Sequence, residues 1–416
     1  MGYLVTKCTQ NSSSLPDPIS IGSTAYRKIN VTLFFAGFIT FMTLYDVQPL
    51  LPVFTKEFAV SPADGSLPLS ISTAILAIGL LFSGITSDSF GRKALIILSL
   101  LCTSFLALIT SWSGSFTSLL VIRLLQGAAL AGVPSVAMAY LGEELDTSSI
   151  ATAMGLYISG NAVGGMSGRV ITALLTDIMT WRHAMGIIGA VSLICSIYIA
   201  KTLPASRRFV RQRFSPRAFF PALFHHFHNR DMVLHFSLAF VFMGGFICMY
   251  NYITFRLLLA PFNLNQSLIS FIFLVYFFGS LTSANIGRLS RRFGSIQTLR
   301  GTIVSMLVGL LLTLPENLFL IIIGIGIFTC GFFGSHSIAS GRVSQKATIH
   351  RAQATSIYLF NYYLGSSVVG YLGGYSWQHY HWSGVALLIG IMILLACLLS
   401  EASNRINKKV ADISHT

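Results

Sequence analysis

Charge is what this chain lacks. Of its 416 residues only 10% are charged, whereas 54% are hydrophobic and the mean hydropathy is +0.72. A soluble domain carries roughly a quarter charged residues, so a water-covered globular surface is excluded. Acids are scarcer than bases, with 13 Asp and Glu against 27 Lys and Arg. Cysteines number six; Cys102, Cys195, Cys248, Cys330 and Cys397 fall inside apolar runs and Cys8 in a polar tail, which argues against a disulfide framework. There is no nucleotide-binding loop and no metal-ligand pair at a recognisable spacing, so neither an enzyme nor a self-contained ATP-driven pump is expected, and no cofactor.

Long apolar runs are what is present. Stretches of about 18 or more residues, enough to cross a bilayer, occur at 29–52, 66–86, 94–112, 116–140, 151–175, 182–203, 232–256, 266–288, 297–315, 318–341, 353–374 and 382–400. An all-α membrane protein of twelve helices follows. Lys56, Arg182 and Arg256 lie in or beside the loops on one side, and Arg123 and Arg169 inside spans. The remaining Lys and Arg are in the tails or around the loops that follow even-numbered spans. The positive-inside rule then makes both termini cytoplasmic, and the net charge of +14 needs no nucleic acid to explain it. No short apolar core with a cleavage site precedes the first span, so that span is expected to stay as an anchor. MGYLVT formally matches a myristoylation signal, which a twelve-span protein does not need.

The chain repeats itself. GITSDSFGRK at Gly84 to Lys93 has a worn copy in GRLSRRFG from Gly287, 203 residues on, placing Phe90 on Phe293 and Gly91 on Gly294. The same offset carries Ala151 and Thr152 onto Ala354 and Thr355. Two such matches indicate a duplication. The reading is a tail (1–28), a six-helix bundle (29–203), a basic linker (204–231), a second bundle (232–400) and a tail (401–416). The linker holds Arg207, Arg208, Arg211, Arg213, Arg217 and Arg230, and a helix lying on lipid is one use for it. Its His225, His226 and His228 lack a Cys or nearby carboxylate to complete a metal site, and no metal is expected.

Ionisable groups inside spans are functional candidates because each costs at least roughly 2.5 kcal/mol there. Asp46, Arg123 and Arg169 all fall roughly 10 Å below the outer boundary by helix rise. Asp46 is the only acid well inside a span, so it is the leading proton site; the alternative is an ion pair with Arg123 that only locks the bundle. Arg169 either adds a second cation to the cavity, which hints at an anionic or polar substrate, or snorkels to the outer interface. Gly160, Gly164 and Gly168 recur on one face of span five with Gly165 adjacent, a pattern for close helix packing. In the second half, Tyr250, Asn251, Tyr252, His336, Asn361 and Tyr362 are the candidates for a mostly apolar cavity with a few hydrogen bonds.

GITSDSFGRK between spans two and three, RLLQG in span four, GNAVGGMSGR in span five and Trp181-Arg182 opening span six together resemble the major facilitator superfamily. LYDVQPLLP in span one, YNY in span seven and GFFGSHS in span ten look most like its bacterial drug and sugar efflux permeases. The resemblance implies two pseudo-symmetric six-helix bundles. It implies a monomeric, multi-pass inner (plasma) membrane transporter that exports small molecules such as drugs, sugars or metabolites in exchange for protons, with uptake by symport as the alternative. It also implies that Asp46 and Arg123 couple protons, and that Gly84, Asp88, Gly91 and Arg92 form a cytoplasmic latch, with Asp88 facing the start of span eleven near Ala352 to Thr355. Gly165 stands where the efflux motif usually has proline, and Arg291 where a copied acid would be. A channel or receptor is the rival class; no filter-like segment supports it.

Overall fold

The computed structural model describes residues 16–211 and 216–414. The MGYLVT segment, Cys8 and Arg213 lie outside the described residues. Among the described residues ten helices are long and apolar enough to cross a membrane. One of them, Arg351–Asn407, is 57 residues long, twice the length one crossing needs, and belongs to an element that reverses at His381 (φ 48°, ψ −139°). Ile150–Ile178 matches a span in length, while its glycines and polar residues lower its hydropathy. Splitting the first and adding the second makes twelve.

We label them α1 (Thr24–Tyr45, continued by Leu51–Glu57), α2 (Leu67–Phe90), α3 (Arg92–Thr110), α4 (Phe116–Leu130 with Pro134–Glu144), α5 (Ile150–Ile178) and α6 (Trp181–Thr202). A short linker helix, Pro216–His225, leads to α7 (Arg230–Leu258), α8 (Gln266–Phe293, with a 3-10 stretch at Phe271–Val275), α9 (Ser295–Leu312), α10 (Leu318–Lys346), α11 (351–380) and α12 (382–414). The last helix continues through the segment expected to be a tail from 401. Span ends are set by polar caps. Ser23, Ser115, Asn229 and Asn317 each accept an otherwise unsatisfied N–H of the first turn.

The two halves repeat each other in detail. Gly91 (φ 99°, ψ 144°) and Gly294 (φ 85°, ψ 146°) each form a one-residue turn between adjacent helices, a backbone conformation that side chains disfavour. Ser83 bonds Ser135 between α2 and α4 (2.6 Å), and Ser283 bonds Ser337 between α8 and α10 (2.5 Å). In each half the first helix packs on the fifth through glycine. A Cβ on Gly160, Gly164 or Gly168 would come within 2.3, 2.1 or 2.3 Å of the Phe34, Phe38 or Met42 carbonyl oxygen, and one on Gly365 within 2.1 Å of that of Phe240. Gly165 is different: its nearest neighbours are Arg169 Nη1 at 3.4 Å and the Tyr45 ring at 3.5 Å, so it does not seat the helices.

We call the side of the Gly91 and Gly294 turns the basic side and the opposite one the far side. The halves are joined on the far side. Ser367 Oγ donates to the Ser70 carbonyl (2.7 Å), Thr176 Oγ1 to Gln266 (2.9 Å), and the Ser267 N–H to Asp177 (2.9 Å). A Cβ on Gly374 of α11 would lie 2.2 Å from Ala63. On the basic side, Gly84 and Gly155 have open space where a Cβ would stand. The apolar core divides the same way: one cluster runs from the far part of the first bundle into the second, while Ile29, Ile96, Tyr140 and Tyr157 form a separate one in the basic part of the first.

Candidate functional site

Helix α1 stops at Tyr45, where Pro49 and Pro52 lie just ahead, and resumes at Leu51. A broken helix inside a bilayer leaves carbonyls that lipid cannot satisfy. Arg123 of α4 satisfies them. Its Nη1 donates to the Thr43 carbonyl (3.0 Å) and Nη2 to that of Leu44 (2.8 Å), while Nε reaches Pro68 of α2 (3.1 Å). Nη1 also meets Gln126 Oε1 (2.6 Å) and Asp46 Oδ1 (3.4 Å). Cation and carbonyl dipoles at a helix C-terminus attract, so the guanidinium works as a cap. Asp46, at that C-terminus, and Arg123 are both fully buried. The second carboxylate oxygen, Asp46 Oδ2, has no hydrogen-bond partner.

Arg169 of α5 sits at the seam between the bundles, 1% exposed. It does not snorkel: its guanidinium carbon lies 3.9 Å from the centre of the Tyr45 ring, 4.7 Å from Tyr276 and 5.6 Å from Phe273, the last two from the other half. Desolvated cation–ring contacts contribute about 2 kcal/mol or more each. Nη1 donates to the Gly165 carbonyl (2.6 Å) and Nε to Gln48 Oε1 (2.5 Å). Gln48 Nε2 then donates to Asn251 Oδ1 of α7 (2.7 Å). Gln48 and Asn251 are 203 residues apart, the offset of the duplication, so this bond joins the two copies of one position. Two equivalent points can touch only at the axis that relates them. The polar chain Arg169, Gln48, Asn251 therefore runs from the first bundle across the pseudo-twofold axis.

The second-half candidates divide. Tyr250 Oη pairs with Thr329 of α10 (2.6 Å), and its ring lies 4.9 Å from Tyr276, which places it one ring away from Arg169. His336 Nδ1 pairs with Tyr358 Oη (3.0 Å), and the ring is flanked by Phe332 at 6.0 Å and Tyr362 at 4.6 Å. Tyr362 is part-exposed, with Tyr363 at 5.1 Å and Phe332 at 6.4 Å. Tyr252 and Asn361, both expected to line the cavity, are committed elsewhere. Tyr252 is fully buried and donates to the Gly370 carbonyl of α11 (2.7 Å), and Asn361 Nδ2 bonds Ile357 in its own helix (2.9 Å).

At the hinge, Arg92 pairs with Asp88 (2.7 Å) and with Glu143 at the end of α4 (2.7 Å), contacts Ser87, and lies 5.5 Å from the Phe209 ring. Asp88 was expected to face the start of span eleven. Among the described residues its ion pair is with Arg92, and the hinge charges close within their own bundle. In the turn from α4 to α5, the Ser148 hydroxyl (2.5 Å) and the backbone N–H groups of Ser148 and Ser149 hold the Asp146 carboxyl below its usual range. No group of three His, Cys, Asp or Glu suited to a metal ion is found among the described residues, the linker histidines included.

Sequence reasoning missed Tyr45, Gln48, Gln126, Glu143, Phe273 and Tyr276. The Gln48 signal was there: the 203-residue offset maps it onto Asn251, already a candidate. The aromatic residues carry no such signal, because Phe and Tyr are common throughout the spans.

Two pseudo-symmetric helical bundles that meet at an enclosed polar seam and are hydrogen-bonded to each other on one side of the membrane have the architecture of a secondary membrane transporter. The chain belongs to the Major Facilitator Superfamily, whose sequence profile matches residues 33–338 and 251–403. It is 44% identical over 379 residues to the uncharacterized MFS-type transporter YybF of Bacillus subtilis (strain 168), covering 91% of this chain and 94% of that one. It is 41% identical over 392 residues to the inner membrane transport protein YnfM of Escherichia coli (strain K12), covering 93% of each. A bacterial homolog of the human lysosomal transporter Spinster, in an inward-facing and unoccupied conformation, shares the fold with a TM-score of 0.71 at 16% identity, over 93% of this chain and 99% of that one.

Proposed function

We propose that this transporter exports small organic molecules from the cell in exchange for protons, by alternating access across the inner membrane. With both termini cytoplasmic, as the distribution of Lys and Arg favours, hydrogen bonds between the bundles on the far side support an inward-facing state. The latch of Gly84, Asp88, Gly91 and Arg92 would then engage the second bundle when that side closes. One observation carries the coupling: Asp46 is the acid enclosed at the break of α1, and one of its oxygens has no partner. A proton taken there weakens the attraction to Arg123, so protonation acts on the cap that holds α1, α2 and α4 together. One proton moving down 100 mV releases about 2.3 kcal/mol, enough for roughly a fifty-fold solute gradient.

The test is a solute screen in proteoliposomes with an imposed pH gradient and an internal pH dye. Export-direction solute flux should drive proton flux the other way, and Asp46→Asn should abolish the coupling while solute exchange persists. Wild-type solute flux that never moves protons, together with normal gradient-driven transport by Asp46→Asn, would remove Asp46 from this role.

A further inference from the structure

Arg169 is a cation held where charge is costly, and no acid answers it. Arginine stays charged at any accessible pH, and among the ion pairs of the described residues Arg169 has none. Asp46, the acid at the break of α1, is paired with Arg123. Rings cover the guanidinium's faces, but a ring quadrupole is a weak substitute for a carboxylate.

The groups around it have one chemical character. Tyr276 Oη and Asn251 Nδ2 are both buried without a hydrogen-bond partner. Both can donate. Tyr276 lies against the guanidinium, and Asn251 is joined to it through Gln48. Buried donors left unpaired are rare and need a reason. Here a cation and two donors, drawn from α5, α7 and α8, converge at one seam. From this donor cluster a run of flat faces leads on: Tyr276 packs on Phe246 (5.4 Å), Phe246 stacks on Phe332 (3.7 Å), and Phe332 adjoins the part-exposed Tyr362 (6.4 Å) and His336 (6.0 Å).

We infer that this seam binds a small aromatic carboxylate, with the carboxylate on Arg169, Tyr276 and Asn251 and the ring against Tyr362 and the His336 stack. The inference rests on the transport reading for its access route and names the substrate class that reading leaves open. A carboxylate takes bidentate hydrogen bonds from a guanidinium. It would supply the missing counter-charge and tie the first bundle to α7 and α8, which is the differential contact that lets a ligand bias one conformation over another.

The experiment uses the full chain in lipid nanodiscs and reads binding by isothermal titration and thermal shift. The probes are benzoate, its neutral isostere benzamide, cyclohexanecarboxylate and acetate. Benzoate should bind saturably; benzamide and acetate should be weaker by roughly tenfold or more, and cyclohexanecarboxylate weaker than benzoate. Arg169→Gln should lose roughly tenfold in benzoate affinity, and Tyr276→Phe should lose several-fold for benzoate but not for benzamide. Benzamide binding as tightly as benzoate, no binding by any carboxylate, or a folded Arg169→Gln that binds benzoate like the wild type overturns the inference. If Arg169→Gln does not fold, an unchanged benzoate affinity in Tyr276→Phe overturns it. Cyclohexanecarboxylate matching benzoate removes the aromatic requirement and with it the stated class. Benzoate binding without proton-coupled flux leaves the inference standing and defeats the antiport reading. Proton-coupled flux of a neutral solute without benzoate binding does the reverse.

Discussion

Arg123 and Arg169 are one residue type in one bundle, and their surroundings give them opposite work. Arg123 is saturated by carbonyls, an amide and a carboxylate, all from its own half, so it holds α1, α2 and α4 in place. Arg169 spends fewer donors and lies among rings from both halves. Removing one partner of a buried charge network costs about 3–5 kcal/mol. Arg123→Ala should therefore melt far below the wild type in detergent, because it leaves helix-end carbonyls and Asp46 without a donor. Asp46→Asn, which leaves the neutral acceptors in place, should fold with a smaller loss. Equal melting of Arg123→Ala and the wild type would show that the cap carries no stability. Both arginines could be picked out from the sequence as expensive residues. Their division of labour could not, because it depends on Thr43, Leu44 and Pro68, whose backbone oxygens have no sequence signature.

At the scale of elements, α5 carries two kinds of glycine within nine residues. Gly164 lets the α1 backbone approach, whereas Gly165 faces Arg169 and Tyr45 at ordinary contact distances. Gly164→Ala should lower stability by about 1–3 kcal/mol, the usual effect of overpacking, and Gly165→Ala should be close to neutral. Melting temperatures of the purified variants decide this; equal losses would mean that the helices are not seated as described. The turn between α2 and α3 gives a second test. At φ 99° and ψ 144° a side chain is strained by about 1–3 kcal/mol. Gly91→Ala should thus shorten or unravel the ends of α2 and α3, visible as faster protease cleavage between Ser89 and Lys93 in vesicles. The spacing of the glycines was legible, since every fourth residue shares a helix face. That Gly165 lies off that face follows from the same spacing; that it meets Tyr45 does not, because that contact comes from another helix.

For the whole molecule, the bond between Gln48 and Asn251 turns a repeat into a geometry. A duplicated chain places equivalent residues around an axis, and this pair lies on it. A movement that opens the far side would pivot about this region, because the other inter-bundle hydrogen bonds among the described residues, such as that of Ser367 to Ser70, lie on that side. In a background lacking the native cysteines, cross-linking Ser70→Cys to Ser367→Cys should hold the far side closed. It should abolish transport, and reduction should restore it. Full transport with the cross-link intact would show that the far side need not open.

The sequence by itself determined the membrane class, the helices and the duplication, because these follow from local quantities: run length, charge sparsity and a fixed offset. It also picked out Asp46, Arg123 and Arg169, since a charge within an apolar run is conspicuous wherever it ends up. Only the tertiary structure decided which charges meet, which arginine caps a broken helix and which lies among rings, and on which side the bundles are hydrogen-bonded to each other. Those outcomes depend on contacts between residues far apart in the chain, and on backbone oxygens that every residue has and only the fold exposes or satisfies.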